Sequence, residues 1–285
     1  MAIAHTAPWH PLACDASDWF WPLRALGLTF RSHRRFPSPE ELSAAFAERM
    51  SQLGLSHAPF APLRFVAAEK KKRRRAKTSI QVSDLYEGQV VEMHRVPTRE
   101  NDWHDFFNAM AFTTFPRAKW ALHQRQHGIL RKRIGDGAPR LPGSRTREQD
   151  ALSLFDEGGV VVALTALDHA RLAREAGDDV QGAVAALLES RKAIVIPFGH
   201  ALYEHLIAGL PCPLAAHHLM PVLPQPGGGP ALPSFLETID RLLAADLADT
   251  NLFRAPHTSR ALSLTGLAQT QAEMECILQG PCSPC

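Results

Sequence analysis

No stretch of this chain approaches eighteen uninterrupted apolar residues, so the sequence predicts no membrane-spanning helix. The start, Met1-Ala-Ile-Ala-His-Thr-Ala-Pro-Trp9, lacks both the basic opening and the apolar run of a signal peptide. Pro11-Leu-Ala-Cys14 has the look of a lipoprotein cleavage site, but no apolar stretch precedes it. A cytoplasmic protein without membrane contact is the expectation. Cysteines are few, five in 285 residues, and the odd number argues against a complete disulfide framework. Cys276, Cys282 and Cys285 crowd the end, yet the second Cys-x-x-Cys pair that a zinc site would want is missing. Also missing are a Walker loop, Gly-x-Gly-x-x-Gly, the Gly-x-Ser-x-Gly elbow and His-Glu-x-x-His, which withdraws support from nucleotide-binding, serine-hydrolase and zinc-protease chemistry of the common kinds. No internal repeat is visible.

What is present is an average soluble composition, 45% hydrophobic and 21% charged, with a formal net charge of +2. That near-neutrality hides one block, Lys70-Lys71-Lys72-Arg73-Arg74-Arg75. Six like charges repel one another and cannot pack, so the block reads as a solvated loop. Its functional alternative is contact with nucleic-acid phosphates. No aromatics interleave the run, which removes the stacking partners of a single-strand binder.

Residues 1–37 read as an irregular N-terminal arm, 38–250 as a single globular domain with a basic loop at 69–79, and 251–285 as a poorly structured tail. The expected fold is α/β or α+β, one mixed domain with more helix than strand, a small sheet and irregular arms at both termini. Ser38, Pro39 and Glu41 form a helix start with a capping box, and Gly54 closes that helix. Leu63 to Val66 is a short strand, and Leu85 to His94 alternates enough to suggest a strand or hairpin arm, broken at Val96-Pro97. Helices are expected over Asn101 to Phe115, Pro116 to Arg133, Leu167 to Ala176, Val180 to Ser190 and His200 to Ala208. Apolar strands are expected at Val160 to Leu164, Ala193 to Pro197 and His218 to Leu223. Ser234 and Glu237 mark a last capping box.

Three constellations carry chemistry. In Arg99-Glu-Asn-Asp-Trp-His104-Asp105-Phe-Phe-Asn108, a helix starting near Asn101 sets His104 and Asn108 on one face, with Asp105 beside them. A histidine near a carboxylate serves as a general base or a metal ligand. In Phe198-Gly199-His200-Ala-Leu-Tyr-Glu204, a strand runs through glycine into a helix carrying His200 and Glu204 on one face, where ligands of open α/β sheets gather. The third is Asp156 and Glu157 with Asp150 nearby, acids that suit Mg²⁺ or Mn²⁺ or simply make a turn before Gly158-Gly159. The bland reading of all three is a set of caps, surface pairs and turns.

These blocks resemble a bacterial family of uncharacterised proteins, DUF3025. The resemblance rests on Val96-Pro-Thr-Arg-Glu-Asn101, His104-Asp-Phe-Phe-Asn108, Phe115-Pro-Arg-Ala-Lys119, Asp150-Ala-Leu-Ser-Leu-Phe-Asp-Glu157, Phe198-Gly-His-Ala-Leu-Tyr-Glu204 and Leu63 to Val66. It covers roughly 63–222 and implies no activity. The Lys70 to Arg75 block reads as an insertion peculiar to this chain.

The resulting enzyme hypothesis assigns His104, Asp105, Asn108, His200 and Glu204 to catalysis and Asp156 to a divalent metal. Arg99, Arg117 and Lys119 would neutralise a phosphoester or nucleic-acid-type substrate of a metal-assisted hydrolase. The alternative is a non-catalytic nucleic-acid-binding or scaffold protein working through Lys70 to Arg75. A shared site requires His104, Asn108, Asp156 and His200 to lie within about 10 Å of one another, since metal–ligand bonds are near 2 Å.

Overall fold

The computed structural model describes residues 7–69, 79–135, 137–138, 143–175, 179–210, 216–223, 231–256 and 262–279. The basic block Lys70 to Arg75 and the tail cysteines Cys282 and Cys285 lie outside the described residues. Eleven α-helices and five strands occur among those described: α1 (Trp21–Gly27), α2 (Pro39–Gln52), β1 (Arg64–Ala67), α3 (Tyr86–Met93), β2 (Arg95–Thr98), α4 (Trp103–Thr114), α5 (Pro116–Ile134), α6 (Arg147–Gly158), β3 (Gly159–Leu164), α7 (Ala166–Glu175), α8 (Val180–Glu189), β4 (Ala193–Pro197), α9 (His200–Ile207), β5 (Ala216–Pro221), α10 (Leu232–Ala248) and α11 (Gln271–Gln279). The class is α+β with more helix than strand, and two small sheets replace the single one expected. No described helix is long and apolar enough to cross a membrane.

β1 and β2 pair in parallel, and the second sheet runs β4-β3-β5, with β3 antiparallel to β4 and parallel to β5. Every residue of β3 and of β4 is buried, the signature of strands covered on both faces. The alternation within β3 divides two cores. Val161 and Ala163 join Leu122, Phe155, Ile239 and Met274 on one side. Val160, Val162 and Leu164 join Val184, Leu202 and Leu262 on the other. A third core is aromatic, with Phe20, Phe46, Trp103, Phe107 and Tyr203 around α4.

Several local expectations change. Residues 86–93 are helical rather than extended: His94 ends that helix in the left-handed region at φ 54°, and the chain then runs straight into β2. Gly88 and Val90, two residues apart, are buried on different sides of a short helix that packs against more than one neighbour, which reads as alternation in the sequence. Pro97 belongs to β2 rather than breaking a strand, tolerated because a two-stranded ribbon leaves outer edges where no ladder donor is needed. The last long helix starts at Leu232, ahead of the expected Ser234/Glu237 box, with Pro233 in its first turn and no side-chain cap. Proline's fixed φ lets the helix begin where a side-chain cap is absent. Asp156 and Glu157 sit in the last turn of α6 and not in a loop. Within the segment expected as tail, Leu262, Leu264, Leu267, Met274 and Leu278 are buried.

Candidate metal centre

The site forms where the C-terminal end of α6 meets the N-terminal ends of α4 and α9. Asp102 caps α4 by accepting the Asp105 amide, which sets His104 in the first turn of a helix whose other faces carry buried Phe106, Phe107 and Met110. Gly199 is the N-cap of α9 and packs directly on the end of α6. A β-carbon there would collide with main-chain atoms of Glu157, Gly158 and Gly159, so only glycine permits the approach. His200, the next residue, is thereby delivered to Asp156 and Glu157.

The two imidazoles meet edge to face, ring centroids 4.5 Å apart, with their Nε2 atoms 3.0 Å apart. Each ring is held from behind. His200 Nδ1 donates to the main-chain carbonyl of Asp156 at 2.9 Å, one of the carbonyls that a helix end leaves free. A carbonyl only accepts, so the neutral His200 ring carries its proton on Nδ1 and points the Nε2 lone pair forward. His104 Nδ1 donates to Glu204 Oε2 at 3.2 Å. The Glu157 carboxylate closes the group, 3.5 Å from His200 Nε2 and 3.9 Å from His104 Nε2. Ligand atoms of His104, Glu157 and His200 all lie within 4.8 Å of one another. His200 is buried while the Glu157 side chain is half exposed, so the centre opens to solvent on the Glu157 side.

Electrostatics separates the two histidines. Burial, the nearby Lys119 ammonium and His104 hold His200 well below its ordinary pKa, against the pull of Asp156. His104 goes the other way: burial alone would lower it, but the Glu204 hydrogen bond and the charges of Glu157 and Asp105 raise it on balance. Glu157 is raised, chiefly by burial and also by the neighbouring carboxylates Asp156 and Glu204, although His104 and Lys119 pull it back.

Of the residues expected to act together, His104, His200 and Glu204 meet at the centre, while others turn out to be committed elsewhere. The Asp156 carboxylate pairs with Lys119 at 2.5 Å, and the carboxylate among the grouped ligand atoms belongs to its neighbour Glu157. Adjacent residues of a helix point about 100° apart, so only one of the two acids can face the histidines. Asn108 accepts from Lys119 at 2.8 Å and donates to the Tyr86 hydroxyl at 2.9 Å. Asp105 is gripped by Arg99, which donates to it from its main-chain amide at 2.5 Å and from its guanidinium at 2.8 and 3.0 Å.

The cations expected as a phosphate clamp all have carboxylate partners within the protein. Lys119 is fully buried against Asp156 and Asn108, and Arg117 pairs with the buried Asp240 of α10 at 3.2 Å. Arg117 keeps part of its side chain exposed beside that pair, and the half-exposed Arg99 is shared between Asp102 and Asp105. Of the two acids that end α6, the sequence reading placed the metal on Asp156, whereas the carboxylate beside the two imidazoles is that of Glu157; no local feature of the sequence separates these two neighbours. Two imidazoles and one carboxylate also suit zinc, iron or manganese better than the all-oxygen Mg²⁺ environment.

No curated protein and no solved structure matches the chain. A family model does match, over residues 63–276, a span that takes in β1 through most of α11 and every residue of the centre. The chain belongs to that family, DUF3025, described as a protein of unknown function.

Proposed function

We propose that this chain is a metal-dependent hydrolase of the bacterial cytoplasm, its centre formed by His104, His200 and Glu157. One observation carries the reading: two Nε2 atoms and a carboxylate converge on one point, while each ring's Nδ1 is already bound to an acceptor. Histidine ligands in metal sites are held from behind in this way, by a carboxylate or a main-chain carbonyl. Three protein ligands with one solvent-facing side leave room for water and substrate.

A divalent ion there supplies Lewis acidity. The chain's own contribution is to hold His104 through Glu204 and His200 through Asp156, with His200 buried and Glu157 facing solvent. The substrate to try first is a phosphodiester, with a carboxylic ester as the second, since the clamp of Arg117 and Lys119 is committed elsewhere. Metal content of the purified protein and hydrolysis of bis(p-nitrophenyl) phosphate and p-nitrophenyl acetate with Zn²⁺, Mn²⁺ and Fe²⁺ test the reading. Ion-dependent turnover lost in His104→Ala and His200→Ala is expected. Absence of ion binding, or turnover indifferent to both substitutions, overturns it.

A second reading, nucleic-acid binding or scaffolding through Lys70 to Arg75, draws on where the chain enters that block. The amide of Ala68, two residues ahead, bonds the Thr98 carbonyl beside Arg99. Deleting Lys70 to Arg75 should then lower nucleic-acid affinity and flatten its salt dependence; an unchanged salt slope rules this reading out.

A further inference from the structure

We propose that Lys119 and Asp156, which touch neither ion nor substrate, are positioning residues that preset the geometry of the metal centre. The inference rests on the metal-centre reading and deepens it.

The Lys119 side chain is fully buried, and its three ammonium hydrogens have three acceptors. These are Asp156 Oδ1 at 2.5 Å, Asn108 Oδ1 at 2.8 Å and the face of the Phe112 ring, whose centroid lies 4.7 Å away. Asn108 is itself tied to the Tyr86 hydroxyl, so the ammonium is fixed by α3, α4 and α5 together. A buried ion pair of this kind is poor evidence for stability, because apolar residues of similar volume usually serve as well or better. Its place in the fold supplies the other reason.

Asp156 is the one residue in the last turn of α6 that works in two directions. Its carboxylate is pulled inward by Lys119, and its main-chain carbonyl receives the Nδ1 proton of His200. Its chain neighbour is Glu157. Rotation of that turn would move the His200 acceptor and the Glu157 carboxylate together, and the Lys119 contact is what resists it. The connection runs unbroken from Tyr86 through Asn108, Lys119 and Asp156 to His200, then to His104 and Glu204. Partners bonded directly to metal ligands are typically worth about 10- to 100-fold in metal binding, and the Lys119–Asp156 pair, one step further back, acts on the His200 acceptor and on Glu157 at once.

The test uses the full-length protein, with Zn²⁺ affinity measured by competition with a chromogenic chelator and with Co²⁺ as an optical probe. Asp156→Asn and the charge-free double variant Lys119→Met/Asp156→Asn should each weaken Zn²⁺ binding about 10- to 100-fold. Each should also alter the visible spectrum of the Co²⁺ complex, which a residue with a merely structural role would leave alone. Wild-type affinity and a wild-type Co²⁺ spectrum in the variants would overturn the proposal while leaving the metal centre standing. Failure of the wild-type protein to bind either ion would sink the metal reading itself and this proposal with it. Should these variants not fold, Asn108→Ala decides, since it removes one partner of the Lys119 ammonium and spares Asp156: weaker Zn²⁺ binding and a shifted Co²⁺ spectrum support the presetting, and wild-type values overturn it.

Discussion

His104 and His200, 96 residues apart in the chain, bring their Nε2 atoms to 3.0 Å in a corner where both Nδ1 atoms already have acceptors. One proton shared between the two nitrogens satisfies the contact, and a divalent ion coordinated by both and by Glu157 would satisfy it better. Ion binding to the folded state alone must therefore raise stability. At an ion concentration about 100 times the dissociation constant the gain is about 2.7 kcal/mol. Thermal melts with and without Zn²⁺, after chelator treatment, should show a clear rise in Tm for the wild type and none for His104→Ala, His200→Ala or Glu157→Gln.

Gly199 offers a test that touches no ligand atom. The residue has an ordinary φ of −66°, so its requirement for glycine is steric and not conformational. Gly199→Ala places a methyl group against the main chain of Glu157, Gly158 and Gly159. Forcing the end of α6 away from α9 should cost about 1–3 kcal/mol in denaturant unfolding. Ion affinity should fall with it, because Glu157 and His200 sit on opposite sides of that contact. A substitution that unfolds like the wild type would show that the two ends are free to part.

Much of this arrangement could be read from the sequence, and the unread part has definite causes. Unbroken apolar runs announced β3 and β4, and the capping box at Ser38 and Glu41 announced α2, because those signals are local. His104 and His200 stood out as polar residues at helix starts beside glycine or acid. The choice between Asp156 and Glu157 was invisible, since it depends on which way the last turn of α6 is rotated. The fates of Arg117 and Lys119 were invisible too: their partners Asp240 and Asp156 lie 123 and 37 residues away. A lysine designed for a phosphate and one designed for a buried carboxylate look alike in one dimension.

His123 predicts how stability responds to acid. It is buried between Phe112, which stacks on it at 5.2 Å, and Tyr86, and neither ring nitrogen has a hydrogen-bond partner among the described residues. Burial, with help from the Lys119 ammonium and against the pull of Asp156, lowers its pKa to about 4. The folded value thus lies below the unfolded one near 6.5. Below pH 6.5 the unfolded chain takes up a proton that the folded chain refuses, so stability is intact above that pH and drains away as pH falls toward 4. The loss over that window is on the order of 3 kcal/mol. His123→Phe keeps an aromatic ring and removes the titration, so denaturation midpoints between pH 7 and pH 4 should decline less steeply than in the wild type. Parallel declines would mean that His123 is protonated in the folded state.

Gln269 closes the outer edge of β4. Its side-chain amide behaves as one residue of a missing strand: Oε1 accepts from the Val195 amide at 2.8 Å and Nε2 donates to the Val195 carbonyl at 2.9 Å, all of it buried. That carbonyl has a second donor in Trp21 Nε1 at 3.4 Å, whereas Gln269 is the acceptor holding the Val195 amide. Gln269→Ala therefore orphans the N–H and spares the C=O. A buried donor left without a partner costs about 1–3 kcal/mol, and that is the destabilisation expected in denaturant unfolding. Amide exchange localises the effect, with the Val195 N–H exchanging much faster in the variant while the β3-paired amides of the same strand stay protected. Because Pro197 at the end of β4 leads through Phe198 to Gly199 and His200, loosening this edge should also weaken ion binding, by less than the Gly199→Ala collision does.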